Sequence, residues 1–136
     1  MINYTKEDFA QKTLEFTSKK GVDVIYDGVG KSTFLKNLDA SAIKGHLIIY
    51  GHSSGQIEPT SFNLLQQKSL TVTGGNLMNY LNSKQELLRR ASKLISQVKE
   101  NKLKVFIDKV FSLDAAHFAQ QYLEHRGSIG KVLLEV

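Results

Sequence analysis

Apolar residues along the chain fall into two kinds of pattern that alternate. Short, mostly apolar runs occupy residues 22–26 (VDVIY), 47–50 (LIIY) and 70–73 (LTVT), each bordered closely by glycine. Such runs predict strands buried on both faces. Between them the apolar residues recur at helical spacing: Phe9, Ala10, Thr13 and Phe16, then Phe34, Leu35 and Leu38. Thr5 is the expected N-cap of the first helix, with Asp8 three residues on, and Gly21 its stop. The second helix is expected to end near Gly45. Helix, strand, helix, strand with tight turns predicts an α/β fold with a parallel sheet covered by helices.

The second half continues the alternation. A loop passes through Pro59, a helical turn is expected over 61–67, and Gly74-Gly75 is the expected exit of the third strand. Residues 83–100 give the clearest helix. Ser83 and Glu86 match a capping box, and Leu87, Leu88, Ala91, Leu94, Ile95 and Val98 form one stripe opposite a Lys/Arg face. A strand is expected over 105–111. Asp114 is the expected cap of a helix that turns Ala115, Phe118, Ala119, Tyr122 and Leu123 inward and closes at Gly127. Residues 129–136 predict a closing strand.

Composition narrows the class. The chain has 136 residues, 41% of them apolar and 23% charged, as expected of a globular domain. No apolar stretch approaches the roughly 18 residues that span a bilayer, and residues 1–6 (MINYTK) lack a signal-peptide run. No membrane contact is expected. Cysteine is absent, which excludes disulfides and thiolate metal sites and fits a cytoplasmic location. The net charge of +5 is spread over amphipathic segments without aromatic interleaving, so a solvated lysine face is expected and no nucleic acid. His46, His52, His117 and His125 have no partners at metal-ligand spacing, so no metal is expected.

Two motifs fail on their own requirements. Gly30-Lys31-Ser32 looks like the end of a P-loop, but Ile25 stands where that loop needs its first glycine. Gly51-x-Ser53-x-Gly55 matches a nucleophile elbow that must open a helix, and residues 56–59 (QIEP) do not predict one. His117 and His125 fall on a predicted helix instead of a loop after a late strand. What remains is the placement of the glycines: Gly28 and Gly30, Gly51, and Gly74 with Gly75 all follow strands. In open α/β sheets, ligands lie outside the carboxyl ends of the strands. Glycine there lets the backbone approach a ligand, or simply makes a tight turn.

Taken in order, Asn3-Tyr4, GVDVIYDGVG (residues 21–30), GHLIIYG (45–51), QKSLTVTGG (67–75) and GSIGKVLL (127–134) resemble the quinone oxidoreductase, zeta-crystallin-like branch of the medium-chain dehydrogenases/reductases. The resemblance covers essentially the whole chain. It implies NADPH as cofactor and hydride transfer to a quinone or an activated alkene, without zinc. Tyr4 would lie near the adenosine 2′-phosphate and Gly28 against the adenosine half. Tyr50, Gly51, His52 and Ser53 would touch the nicotinamide half, joined by Gly75, Asn76 and Leu77. Arg126 would supply a cationic group near the cofactor. The resemblance also implies a homodimer through the 70–73 strand, from Leu70 to Thr73, as an exposed edge allows.

The departures carry more weight. A catalytic domain and the first strand–glycine-loop–helix unit, which grips the pyrophosphate, have no counterpart in these residues. The expected fold is therefore a partial Rossmann-like, doubly wound sheet lacking its first βαβ unit. Residues 1–102 would be the C-terminal portion of the nucleotide domain. Residues 103–136 would return to a catalytic domain. The chain is expected to be a fragment, inactive alone and weak in cofactor binding. The alternative is a non-catalytic dimerisation module or the complement of a separate N-terminal chain. A third possibility from the sequence is a hydrolase using Ser53.

Overall fold

The structure, a computed structural model, describes residues 1–125 and 127–136. They divide into two units, Met1–Tyr80 and Leu81–Val136. The first is built on three parallel strands, β1 (Val22–Asp27), β2 (Ser41–Ile49) and β3 (Thr71–Gly74), adjacent in that order. Tyr26 pairs with Ile48 and Asp27 with Ile49; Ile48 pairs onward with Thr73 and Ile49 with Gly74. The carboxyl ends of all three strands thus finish in one row. This is part of a doubly wound, Rossmann-like α/β sheet, as the alternating pattern predicts.

Helix α1 (Phe9–Phe16) begins one turn later than Thr5 suggests. Asp8 is its cap, accepting bonds from Ala10 N and Gln11 N, while the Thr5 hydroxyl donates to Asn3 Oδ1 at 2.7 Å. A salt bridge of 2.8 Å from Lys36 to Asp8 ties this cap to α2 (Phe34–Ala40). Ser18 and Lys19 turn the chain out of α1 at positive φ, ahead of Gly21. Gly21 itself has φ +77°, and a Cβ there would meet the Ser41 carbonyl carbon at 2.6 Å, so only glycine fits where the chain enters β1.

Phe34, Leu38 and Leu47 form the buried core. Ile25, Ile49, Ile57, Leu65 and Val72 pack against it, together with Leu64 from α3 (Phe62–Gln66), which Ser61 caps. These elements cover one face of the sheet. The expectation that β1 is buried on both faces is corrected here: Val24 is 48% and Tyr26 72% exposed. Alternation sends Ile25 to the core and its neighbours to the opposite face. Strand β2 starts at Ser41, directly after α2, well before the predicted Leu47. Its pairing slips, Val22 opposite Ser41 but Val24 opposite His46, so residues 42–45 bulge, with Lys44 at φ 62°.

Lys68 closes the far end of α2. Its ammonium donates to the carbonyls of Leu38 at 2.9 Å, Asp39 at 2.7 Å and Ser41 at 2.8 Å. A short helix α4 (Leu77–Tyr80), absent from the sequence expectation, ends this unit.

The second unit holds α5 (Lys84–Lys99), β4 (Ile107–Ser112), a 3-10 turn (Leu113–Ala115), α6 (Ala116–Glu124) and β5 (Lys131–Glu135). Strands β4 and β5 pair in parallel. Ala119 of α6 is buried, and the Tyr122 hydroxyl donates to Asp108 Oδ2 at 2.8 Å. That partner pushes the Tyr122 hydroxyl pKa up. Asp114 does not cap α6 as expected: the 3-10 turn intervenes and Ala115 takes the cap position. His125, not Gly127, is the C-cap. Ser83 caps α5 by accepting from Glu86 N, but the Glu86 carboxylate turns to Arg89 and Arg90 instead of completing a capping box. No helix among the described residues is long and apolar enough to cross a membrane.

Two outcomes are expected. Lys68→Met removes three charge-assisted bonds from the end of α2 and should cost about 1–3 kcal/mol in urea unfolding with an unchanged m-value. Glu86 is held at about 2, below its ordinary 4.5, first by the bonds from Arg89 and then by those from Arg90. A depressed carboxylate stabilises above its unfolded pKa and loses that contribution as pH falls through the folded one. The α5 amide shifts should therefore move toward coil between pH 4.5 and about 2, and Glu86→Gln should remove that transition.

Candidate functional site at the strand ends

The parallel register delivers the chain to one edge of the sheet three times: after Asp27, after Ile49 and after Gly74. The first two exits form loops that interlock. Asp27, 4% exposed, ends β1, and its Oδ1 accepts from Val29 N at 2.7 Å and Gly30 N at 3.1 Å. The Thr33 hydroxyl lies 3.1 and 3.0 Å from the two carboxylate oxygens, and Asn37 Nδ2 donates to Oδ2 at 2.8 Å. The turn so formed offers its carbonyls to the second loop. Ser53 N donates to Gly28 O at 3.3 Å, Ser54 N to Val29 O at 2.9 Å, and Ser54 Oγ to Val29 O at 2.7 Å. In return Lys31 N donates to Gly55 O and Ser32 N to Ser54 Oγ.

The two loops touch through glycine. A Cβ on Gly51 would meet Gly28 O at 2.8 Å, and one on Gly28 would meet the Tyr50 ring at 3.0 Å. Beside this contact lies a cavity of about 530 Å³ lined by Tyr4, Phe9, Tyr26, Gly28 and Tyr50, with Asp27 in its wall. Tyr4, Gly28 and Tyr50 are thus brought together. Gly51 adjoins them, and His52 and Ser53 follow in the same loop, exposed. Gly75 hydrogen-bonds through its N–H to Ile49 O at 2.6 Å and lies against Tyr50 Cβ. Asn76 Oδ1 accepts from Met78 N at the start of α4, whose first residue Leu77 is 62% exposed. Arg126 lies outside the described residues.

Asp27, Thr33, Asn37 and Ser54 were not singled out from sequence as site residues. A signal for the first was present, since an Asp before glycine readily bonds the backbone N–H groups two and three residues on. Thr33 and Asn37 join it only through the fold. The discarded motifs find other employment. Lys31 pairs with Glu58 at 2.6 Å, and no helix follows Ser53 until α3. His117 lies within α6 and His125 at its end.

A second depression, of about 990 Å³, is lined by Phe34, Ile49, Ile57, Phe62, Leu70 and Val72. The sequence has no cysteine, and among the described residues no group of three His, Asp or Glu side chains comes together.

With this geometry in hand, the chain can be set beside known proteins. It is 36% identical to the 2-haloacrylate reductase of a Burkholderia species over 98% of its own length and 40% of the relative's. It is 34% identical to quinone oxidoreductase 1 of Escherichia coli K12, over 98% of this chain and 42% of that protein. The crystal structure of Escherichia coli quinone oxidoreductase complexed with NADPH superposes with a TM-score of 0.90 at 33% identity, covering 99% of this chain and 42% of that one. The chain therefore spans about two fifths of the length of the relatives it matches. Residues 1–134 match the zinc-binding dehydrogenase family, and the chain belongs to that family, corresponding to the C-terminal, Rossmann-like part of its medium-chain quinone oxidoreductases.

Proposed function

We propose that this chain forms the cofactor-facing part of an NADPH-dependent oxidoreductase that reduces a quinone or an activated C=C bond. The observation that carries the reading is the glycine contact between Gly28 and Gly51, which bares backbone at the strand ends beside a cavity walled by Tyr4 and Tyr50. Ligands of open α/β sheets lie at such an edge. Tyr4 and Gly28 would hold the adenosine side. Tyr50, Gly51, His52, Ser53, Gly75, Asn76 and Leu77 would face the nicotinamide side, and Arg126 would meet a phosphate or the carboxamide. Bound NADPH would supply the hydride. The protein's own groups position the cofactor and exclude water from one face of it. Residues 1–102 would serve as nucleotide-binding part and 103–136 as the segment that returns to a catalytic domain. These 136 residues contain no pyrophosphate-gripping G-x-G-x-x-G loop, so alone they would bind weakly and turn over nothing.

A second reading, that the chain works through association, is favoured by its open surfaces. Among the described residues β3 pairs only with β2, leaving an edge that a second copy could extend. Leu70 and Val72 line the apolar depression beside it. Strand β1 is the opposite edge, with Val24 and Tyr26 exposed, and a complementary N-terminal chain would find its place there.

Calorimetric titration with NADPH should give a dissociation constant in the range of about 10 μM to 1 mM. Sub-micromolar affinity would refute the weak-binding expectation, and no binding at several millimolar would refute the cofactor reading. Gly51→Ala forces the two loops apart and should weaken that binding at least roughly tenfold while the sheet stays folded. Sedimentation equilibrium should show a dimer, and a monomer at every concentration would overturn association through β3.

A further inference from the structure

We infer that Asp27 is a positioning residue, one buried carboxylate that sets the geometry of both strand-end loops a cofactor would meet. The inference rests on the cofactor reading above but names a residue that reading leaves out. Asp27 is 4% exposed, and among the described residues its donors are all neutral: Val29 N, Gly30 N, the Thr33 hydroxyl and Asn37 Nδ2. As mere packing this is an expensive choice, because a charge taken out of water depends on its hydrogen bonds to replace the hydration it loses. What a carboxylate gives that a neutral side chain does not is short, charge-assisted bonds to backbone N–H groups.

Those bonds fall on the turn. By drawing in Val29 N and Gly30 N, Asp27 leaves the carbonyls of Gly28 and Val29 facing the second loop. There they accept from Ser53 N, Ser54 N and Ser54 Oγ. Ser54 Oγ accepts in turn from Ser32 N, and Gly55 O from Lys31 N. The path from the carboxylate to Gly51, His52 and Ser53 is therefore continuous: carboxylate, turn amides, turn carbonyls, second loop. Asp27 also forms part of the wall of the 530 Å³ cavity, so the group that orders the rim stands beside the space the rim encloses. Thr33 and Asn37 clamp the carboxylate from α2 and its cap, fixing the one group on which both loops depend.

A residue that only stabilises the fold would behave differently from one that sets the loops. Exchanging the pair, Asp27→Asn with Asn37→Asp, keeps a buried carboxylate facing a buried amide but moves the charge from the turn to the helix. The unfolding midpoint of the exchanged pair should return close to that of the wild type. Amide hydrogen exchange at Val29, Gly30, Ser53 and Ser54 should stay about tenfold faster than in the wild type, and NADPH affinity about tenfold lower. Exchange at Leu47, in the centre of β2, should not change. Recovery of loop exchange and affinity together with the midpoint would overturn the inference. If the exchanged pair does not fold, Thr33→Val serves, since it removes one neutral donor. Faster exchange in both loops but not at Leu47 supports the inference, and a uniform change overturns it. Should the wild type bind no NADPH while the exchange pattern holds, the cofactor reading falls and the coupling of the loops through Asp27 stands.

Discussion

Parallel pairing on both sides of β2 is the constraint from which the rest of the first unit follows. Parallel neighbours cannot be joined by a hairpin, so each connection must cross a face of the sheet and return to the same starting edge. That is why α2 and α3 lie where they do, and why Phe34, Leu38 and Leu47 meet beneath them. It is also why three chain exits, at Asp27, Ile49 and Gly74, fall in one row. The candidate site is thus a by-product of strand direction before it is a product of any particular side chain.

Charge is used sparingly inside this arrangement, and at both ends of the same short helix. Asp27 stands by the segment that leads into α2, and the Lys68 ammonium lies on its last carbonyls. A seven-residue helix has little cooperativity of its own. An anion near its N-terminus and a cation at its C-terminus complement its dipole, and the cation also bonds carbonyls that no further turn is present to satisfy. The same two side chains tie α2 to the end of β1 and to the segment after α3, so the crossover is fixed at both ends.

Strand placement and the parallel sheet were legible because apolar runs and glycine turns report them directly. The ends of elements were less so. Thr5 and Asp8 both satisfy a capping rule, and the choice fell to Asp8 because Lys36, brought in by the fold, pairs with it. The early start of β2 was hidden because Ser41, Lys44 and Gly45 carry no strand signal, and the bulge accommodates them. The exposed face of β1 was misjudged because burial of Val24 and Tyr26 depends on what packs above them, which alternation alone does not specify. At the site, glycine positions pointed to the right edge of the sheet. The Asp27–Thr33–Asn37 cluster was invisible because its members, six and ten residues apart, meet only after β1 turns into α2.

The bare contact between Gly28 and Gly51 has a consequence for how such a chain can vary over generations. A Cβ on Gly28 would meet only the Tyr50 ring, but one on Gly51 would meet the Gly28 backbone, so there is no slack for even a methyl group on Gly51 unless the facing loop retreats. Gly51 cannot drift alone. Gly51 and the turn that carries Gly28 behave as a single heritable unit, written in two places on the chain, and a lineage that lost Gly51 would have to redraw the other loop to keep the cleft.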